Sequence, residues 1–158
     1  MTRVRAGTAA DIPFVFAGIR ALADYEKLSH LFEGSEAELT NHLFGEHPSC
    51  ELLIAETDSG QAGYALFFTS YSTFLTRPGL FLEDLFVVPE ARARGFGRAL
   101  LVELSRIALA RGCGRLEWSV LDWNTRAIAF YDSLGAVPVA GWIPYRLEGP
   151  ALAAVARS

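Results

Sequence analysis

The chain has 158 residues, 51% of them hydrophobic and 20% charged, a balance that suits one globular domain over residues 1–158 and argues against disorder. No apolar run approaches the ~20 residues needed to cross a bilayer, and the opening MTRVRAGTAAD lacks the apolar stretch of a secretory signal. Cys50 and Cys113 are too few and too isolated for a disulfide framework or a zinc site, so a soluble cytoplasmic protein is expected.

Arg3–Ala6 reads as a short strand. Thr8 and Asp11 supply N-cap chemistry for a helix over roughly 10–23, with Ile12, Val15, Phe16, Ile19 and Leu22 at helical spacing. Ser35 caps a second helix that runs to Phe44, with Glu36 and Glu38 in its first turn. Strands follow at 51–56, at 62–72 after the turn Asp58-Ser59-Gly60, and at 80–88 after Arg77-Pro78-Gly79. Gly95–Arg111 is the clearest helix, with Leu100, Leu101, Leu104, Ile107 and Ala108 on one face and Gly112 as its stop. A strand over 115–121, a helix over 125–134 and one or two terminal strands within 137–147 complete the reading. The order βααβββαβαβ predicts an α/β fold: a mixed central sheet with helices on both faces, an antiparallel front and a β-α-β crossover behind.

The net charge of −4 hides an asymmetry. Residues 1–88 carry five basic against twelve acidic groups, net −7, whereas residues 89–158 carry nine arginines against six acids, net +3. A GC-rich coding sequence would explain thirteen arginines beside one lysine; an anion site in the second half, facing a cation site in the first, is the functional alternative. The arginines that matter sit in Arg92-Ala93-Arg94-Gly95-Phe96-Gly97-Arg98, an R-x-x-G-x-G run between a buried strand and an amphipathic helix. Glycines let backbone N–H groups approach an anion, and the helix start adds about half a positive charge. Three arginines at that end oppose the helix dipole, which a bound anion would offset. The spacing is neither a Walker loop nor G-x-G-x-x-G, since Leu100 stands where the third glycine belongs. Pyrophosphate is the expected ligand.

The run Leu82-Glu83-Asp84-Leu85-Phe86-Val87-Val88-Pro89-Glu90-Ala91-Arg92-Ala93-Arg94-Gly95-Phe96-Gly97 resembles the acetyl-CoA motif of the GNAT N-acetyltransferase superfamily. Asp24-Tyr25-Glu26, Phe44-Gly45-Glu46-His47-Pro48, Asp122-Trp123-Asn124 and Ala129-Phe130-Tyr131 extend the resemblance across nearly the whole chain, towards the diamine (spermidine/spermine and thialysine) branch. The resemblance implies acetyl-CoA as acetyl donor and no metal. It places the pyrophosphate on Arg92–Arg98, the pantetheine arm along the backbone of Leu85, Phe86 and Val87, and Asn124, Thr125 and Arg126 beside the same cofactor.

It also implies that Tyr131 protonates the departing thiolate; a phenol of pKa about 10 can lend a proton to a thiolate whose own pKa is near 8.5. Glu83 is implied as the base. An alkylammonium of pKa about 10.4 must lose a proton before it attacks, and a carboxylate can take it, directly or through water. Tyr25, Glu26, Glu83 and Asp84 are implied to hold the amine. Each has a plainer alternative: a packing tyrosine, polar strand-edge positions, a solvated helix end. Two adjacent acids in an apolar strand are costly to bury without a partner, which favours function.

The acidic stretch that the polyamine enzymes carry before their tryptophan is missing ahead of Trp142, so a short diamine, a thialysine-like amino acid or another small primary amine is expected over long polyamines. Acetylation of a protein amine or an amine antibiotic, and a non-catalytic acyl-CoA-binding module, are the competing readings. The resemblance implies a homodimer, with Phe67, Phe68, Tyr71 and Phe74 free to serve an interface or the core. The acidic total argues against nucleic acid as a partner, and His30, His42 and His47 lack metal-ligand spacing.

Overall fold

The computed structural model describes residues 2–158, in two compact units, one ending at Leu121 and the other spanning Asp122–Ser158. The first unit is built on a five-stranded sheet in sequential order: β1 (Arg3–Ala6), β2 (Glu51–Thr57), β3 (Gly60–Ser72), β4 (Arg77–Val87) and β5 (Leu116–Trp118). The pairs from β1 to β4 are antiparallel, and β4 and β5 are parallel across the helical crossover α3 (Phe96–Ala110). The expected α/β class with an antiparallel front and a β-α-β back is therefore what forms.

Side chains alternate across a strand, so each face takes its own helices. Leu52, Ile54, Tyr64, Leu66 and Phe86 face α1 (Ile12–Tyr25) and α2 (Glu36–Phe44) and pack with Ile12, Val15 and Leu43. The alternate residues Leu53, Ala65, Phe67 and Leu82 are buried on the other face, where α3 contributes Phe96, Leu100, Leu101 and Leu104. Residues Ala9–Asp11 form a 3-10 turn, so α1 begins at Ile12 rather than residue 10. Ser35 caps α2 by accepting from Glu38 N at 3.2 Å.

An ion network ties this turn to the sheet. Asp11 is 2% exposed, yet it takes both Arg5 Nη groups at 2.8 Å, the Thr8 backbone N–H at 2.8 Å and Gln61 Nε2 at 2.6 Å. Arg5 also donates through Nε to Glu56 at 2.8 Å, and Arg3 bonds the same carboxylate. The Arg5 guanidinium holds the Asp11 carboxyl well below the usual range, and Arg3 with Arg5 lowers that of Glu56.

Two expectations need correction. The strand expected over 115–121 spans only Leu116–Trp118, because β5 loses its partner where β4 bulges after Leu82. The segment 137–147 forms no strand: Pro138 and Pro144 cannot donate to a ladder, and Gly141 sits at φ 85°. A helix absent from the sequence reading, α5 (Gly149–Ala156), follows, with Pro150 in its first turn where the missing N–H costs nothing. In the second unit α4 (Thr125–Asp132) appears as expected and ends short of the expected residue 134.

Candidate active site

Register creates the acidic part of the site. Leu82 pairs with Phe67 and Asp84 pairs with Leu66, so Glu83 between them has no partner of its own and forms a β-bulge. Leu82 shares the α3 face with Phe67, and Asp84 shares the α1/α2 face with Leu66, because cross-strand partners face the same way. Glu83 sits in the bulge itself, exposed, and acts on both Asp84 and Cys50. In an unbroken strand two neighbouring acids would lie on opposite faces; the bulge interrupts that alternation between them.

The environments of the two acids differ. Glu83 is exposed, whereas Asp84 is half-buried and receives the Tyr64 hydroxyl at 3.3 Å. Burial pushes the Asp84 carboxyl up to about 6, Glu83 and Glu26 push the same way, and the Tyr64 hydrogen bond opposes them. Burial likewise raises the carboxyl of Glu26, just beyond the end of α1. Cys50 feels one of these acids: burial raises its thiol, with Glu51 and Glu83 adding to the rise. A buried carboxyl whose charged neighbours, Glu83 and Glu26, are both acids is suited to a cation supplied from outside.

The opposite edge of β4 loses its β5 partner at the same level. Strand β5 pairs with Leu80, Phe81 and Leu82, and the pairing stops there. Leu85, Phe86 and Val87 continue β4 with no β5 residue opposite them. Beyond Val87 the chain makes a 3-10 turn at Pro89–Ala91 and enters the glycine loop. Ala93 and Gly95 both have left-handed backbones, at φ 60° and 88°, and Gly95 is the N-cap of α3. No atom lies within 4 Å of where a Gly95 Cβ would stand, so dihedral angle rather than crowding asks for glycine. The N–H groups of Phe96, Gly97 and Arg98 open the helix without acceptors inside it. A left-handed turn followed by a helix start is a concave set of donors, which fits a pyrophosphate.

The arginines of the loop do different jobs. Arg92 donates through Nε to the Val87 carbonyl at 3.1 Å and lies 5.8 Å from the centre of the Tyr25 ring. It therefore joins the anion loop to the end of α1, where Tyr25 and Glu26 sit. Arg94 stacks over Phe96 at 5.6 Å, and Arg98 is exposed on the first turn of α3.

Asn124, Thr125, Arg126 and Tyr131 belong to the second unit. Asn124 Oδ1 caps α4 by accepting from Ala127 N at 3.2 Å, and Thr125 and Arg126 form the first turn. Tyr131 is half-buried on α4, its ring 5.5 Å from that of Phe130. Of the four aromatic residues considered for core or interface, Phe67 is core and Phe68 stacks on Phe81 at 5.3 Å, whereas Tyr71 and Phe74 are exposed. Tyr64 is the site residue that sequence reading passed over, since one tyrosine in an apolar strand carries no distinguishing signal.

Residues 19–136 match the family model described as the acetyltransferase (GNAT) family. The chain belongs to that family and is an acetyltransferase; acetyl-CoA is the family's acetyl donor. It is 36% identical to the thialysine N-epsilon-acetyltransferase of Mus musculus, over 96% of this chain and 95% of that one. It is 31% identical to an L-ornithine N5-acetyltransferase of Arabidopsis thaliana, over 98% and 87% respectively. Among solved structures, an integron cassette protein of V. cholerae superposes with a TM-score of 0.81 at 27% identity, covering 99% of this chain and 98% of that one. These relatives agree with the branch that the Leu-Glu-Asp and Trp-Asn blocks resemble.

Proposed function

We propose that the protein acetylates a small primary amine that carries a second polar or charged group, as thialysine-like and ornithine-like amino acids do, within a single GNAT domain over residues 1–158. The observation that carries this reading is the parting of β4 from β5 beyond Leu82, beside the adjacent carboxylates of the β4 bulge and ahead of the glycine loop. The family match runs through the boundary between the two units, which supports one domain. The names of the relatives support the amine class.

In this reading Phe96, Gly97 and Arg98 offer their N–H groups to the pyrophosphate, with Arg92, Ala93, Arg94 and Gly95 shaping the loop. The edge of Leu85, Phe86 and Val87, which β5 leaves unpaired, holds the pantetheine arm, and Asn124, Thr125 and Arg126 lie along the same cofactor. Acetyl-CoA, when bound, supplies the thioester. Tyr25, Glu26 and Asp84 hold the cationic amine, and Glu83, the more exposed acid, accepts the proton that the ammonium must lose. The amine nitrogen then bonds to the acetyl carbon, the carbon–sulfur bond breaks, and Tyr131 gives its phenolic proton to the departing sulfur. Holding both reactants in one place supplies much of the acceleration. The protein acts in the cytoplasm as a homodimer.

Thiol release from acetyl-CoA with L-thialysine, L-ornithine, L-lysine, spermidine and an aminoglycoside tests the reading. Turnover of the amino acids above the others is expected, and binding of acetyl-CoA with release by none would leave a non-catalytic acyl-CoA module. Tyr131→Phe should lower kcat by roughly 10²–10³-fold while leaving acetyl-CoA affinity near wild type; unchanged turnover would remove Tyr131 from the chemistry.

A further inference from the structure

Tyr64 is among the largest fully enclosed side chains in the protein, 0% exposed on β3. Its ring meets Phe14 edge-on, with centroids 6.5 Å apart, and tilts against Phe86 at 5.6 Å. Helix α1 crosses directly above it at Gly18, where a Cβ would stand 2.5 Å from Tyr64 Cε1 and 3.0 Å from Phe86 Cδ1. Glycine inside a helix costs about 1 kcal/mol relative to alanine. The helix thus gives up stability at a position that leaves room for this ring. A phenylalanine would fill the same space; what tyrosine adds is a hydroxyl, and in a dry interior a hydroxyl is costly unless it finds a partner. Its partner is Asp84 Oδ2 at 3.3 Å, a length common for catalytic hydrogen bonds before substrate tightens them.

We infer that Tyr64 is a positioning residue for acetyl transfer: its hydroxyl engages one oxygen of Asp84 and leaves the other directed at the incoming ammonium. The inference rests on the assignment of Asp84 to the amine site. The groups acting on Asp84 are Glu83 beside it on β4, Glu26 after α1, and Tyr64 from β3, and Glu83 acts in turn on Cys50. Among these the tyrosine alone favours the ionised carboxylate. Without its donor the carboxyl holds its proton to higher pH, and near neutrality fewer molecules carry the charge that attracts the amine.

The test compares Tyr64→Phe, Asp84→Asn and the double variant, with L-thialysine and acetyl-CoA from pH 6 to 9, alongside 13C NMR titration of the aspartate carboxyls. In Tyr64→Phe the amine KM should rise about 1.5–3-fold at pH 6.5 and stay near wild type at pH 8.5, with kcat and the KM for acetyl-CoA near wild type. The Asp84 resonance should titrate roughly half to one pH unit higher. Added to Asp84→Asn, Tyr64→Phe should change nothing further. A wild-type amine KM with an unmoved Asp84 titration, a loss equal at every pH, or additive losses in the double variant would each overturn the inference. If Asp84→Asn itself behaves as wild type, the amine-site assignment fails as well; if Asp84→Asn is impaired and Tyr64→Phe is not, only the role of Tyr64 is lost.

Discussion

Two groups of acids with low solvent exposure lie in the same unit and have opposite chemistry. Asp11 and Glu56 are met by Arg5, Arg3, Gln61 and Thr8, and their carboxyls are held below the ordinary range. Asp84 and Glu26 have each other, Glu83 and a tyrosine, and their carboxyls are pushed above it. Burial of a carboxylate therefore says little about its role until its partners are counted. The first group is complete within the chain and fastens β1 and the start of α1 to β2 and β3. The second has no cation among the groups that act on Asp84, and in the proposed function the substrate amine supplies one.

Replacing one acid in each group should separate them. Asp11→Ala leaves Arg5 with a single carboxylate and exposes the turn before α1, which should cost about 3 kcal/mol, more than a hundredfold in the folding equilibrium. Urea unfolding measures it, and the KM for amine in the folded protein should stay near wild type. A loss below about 0.5 kcal/mol would mean that the network contributes little.

Asp84→Asn should do the reverse. We expect kcat/KM for the amine to fall about 10–100-fold, while stability at pH 8 rises by about 1 kcal/mol because an ionised group with no cation is removed. Lower stability together with full activity would erase the contrast. At the other end of the site, Gly95→Ala forces a Cβ into a left-handed backbone at φ 88°. The strain of about 1 kcal/mol should appear as a 5–10-fold weaker acetyl-CoA affinity by calorimetry, with the amine KM little changed.

The smallest effect is one of sign. The Asp84 carboxyl, at about 6 in the folded protein, binds its proton more tightly than in the unfolded chain. Its contribution to stability therefore declines as pH rises from about 4 to 6. The Asp11 carboxyl is depressed in the folded state, so its contribution is present above about pH 4 and is lost below it. Asp84→Asn should flatten the upper slope and Asp11→Ala the lower one, as read by thermal unfolding across pH.

Much of this was legible beforehand because the signals were local. The period of Leu100, Leu101 and Leu104, the stop at Gly112 and the loop glycines each act within a few residues of where they stand. The adjacency of Glu83 and Asp84 was legible too, but not the bulge that holds them, because a bulge is defined by pairing with β3 and register is a property of two strands. Tyr64 was invisible for a similar reason: its meaning depends on Gly18 above and Asp84 beside it, far apart in the chain. The apolar content of 137–147 resembles a strand, but Pro138 and Pro144 deny it a hydrogen-bonding ladder. Trp142 and Tyr145 in that segment are 74% and 94% exposed.

The bulge at Glu83 has a consequence for how such a site can be gained or lost. Leu82 and Asp84 already face opposite ways, as neighbours in an unbroken strand would. Removing the single codon for Glu83 would splice the strand back into regular pleat, with every other residue of β4 keeping its partner on β3. The sheet would be whole and the proposed base gone. With Glu83 as the proposed base, one three-nucleotide insertion or deletion would separate a scaffold from a catalyst, a far smaller change than the depth of the surrounding core suggests.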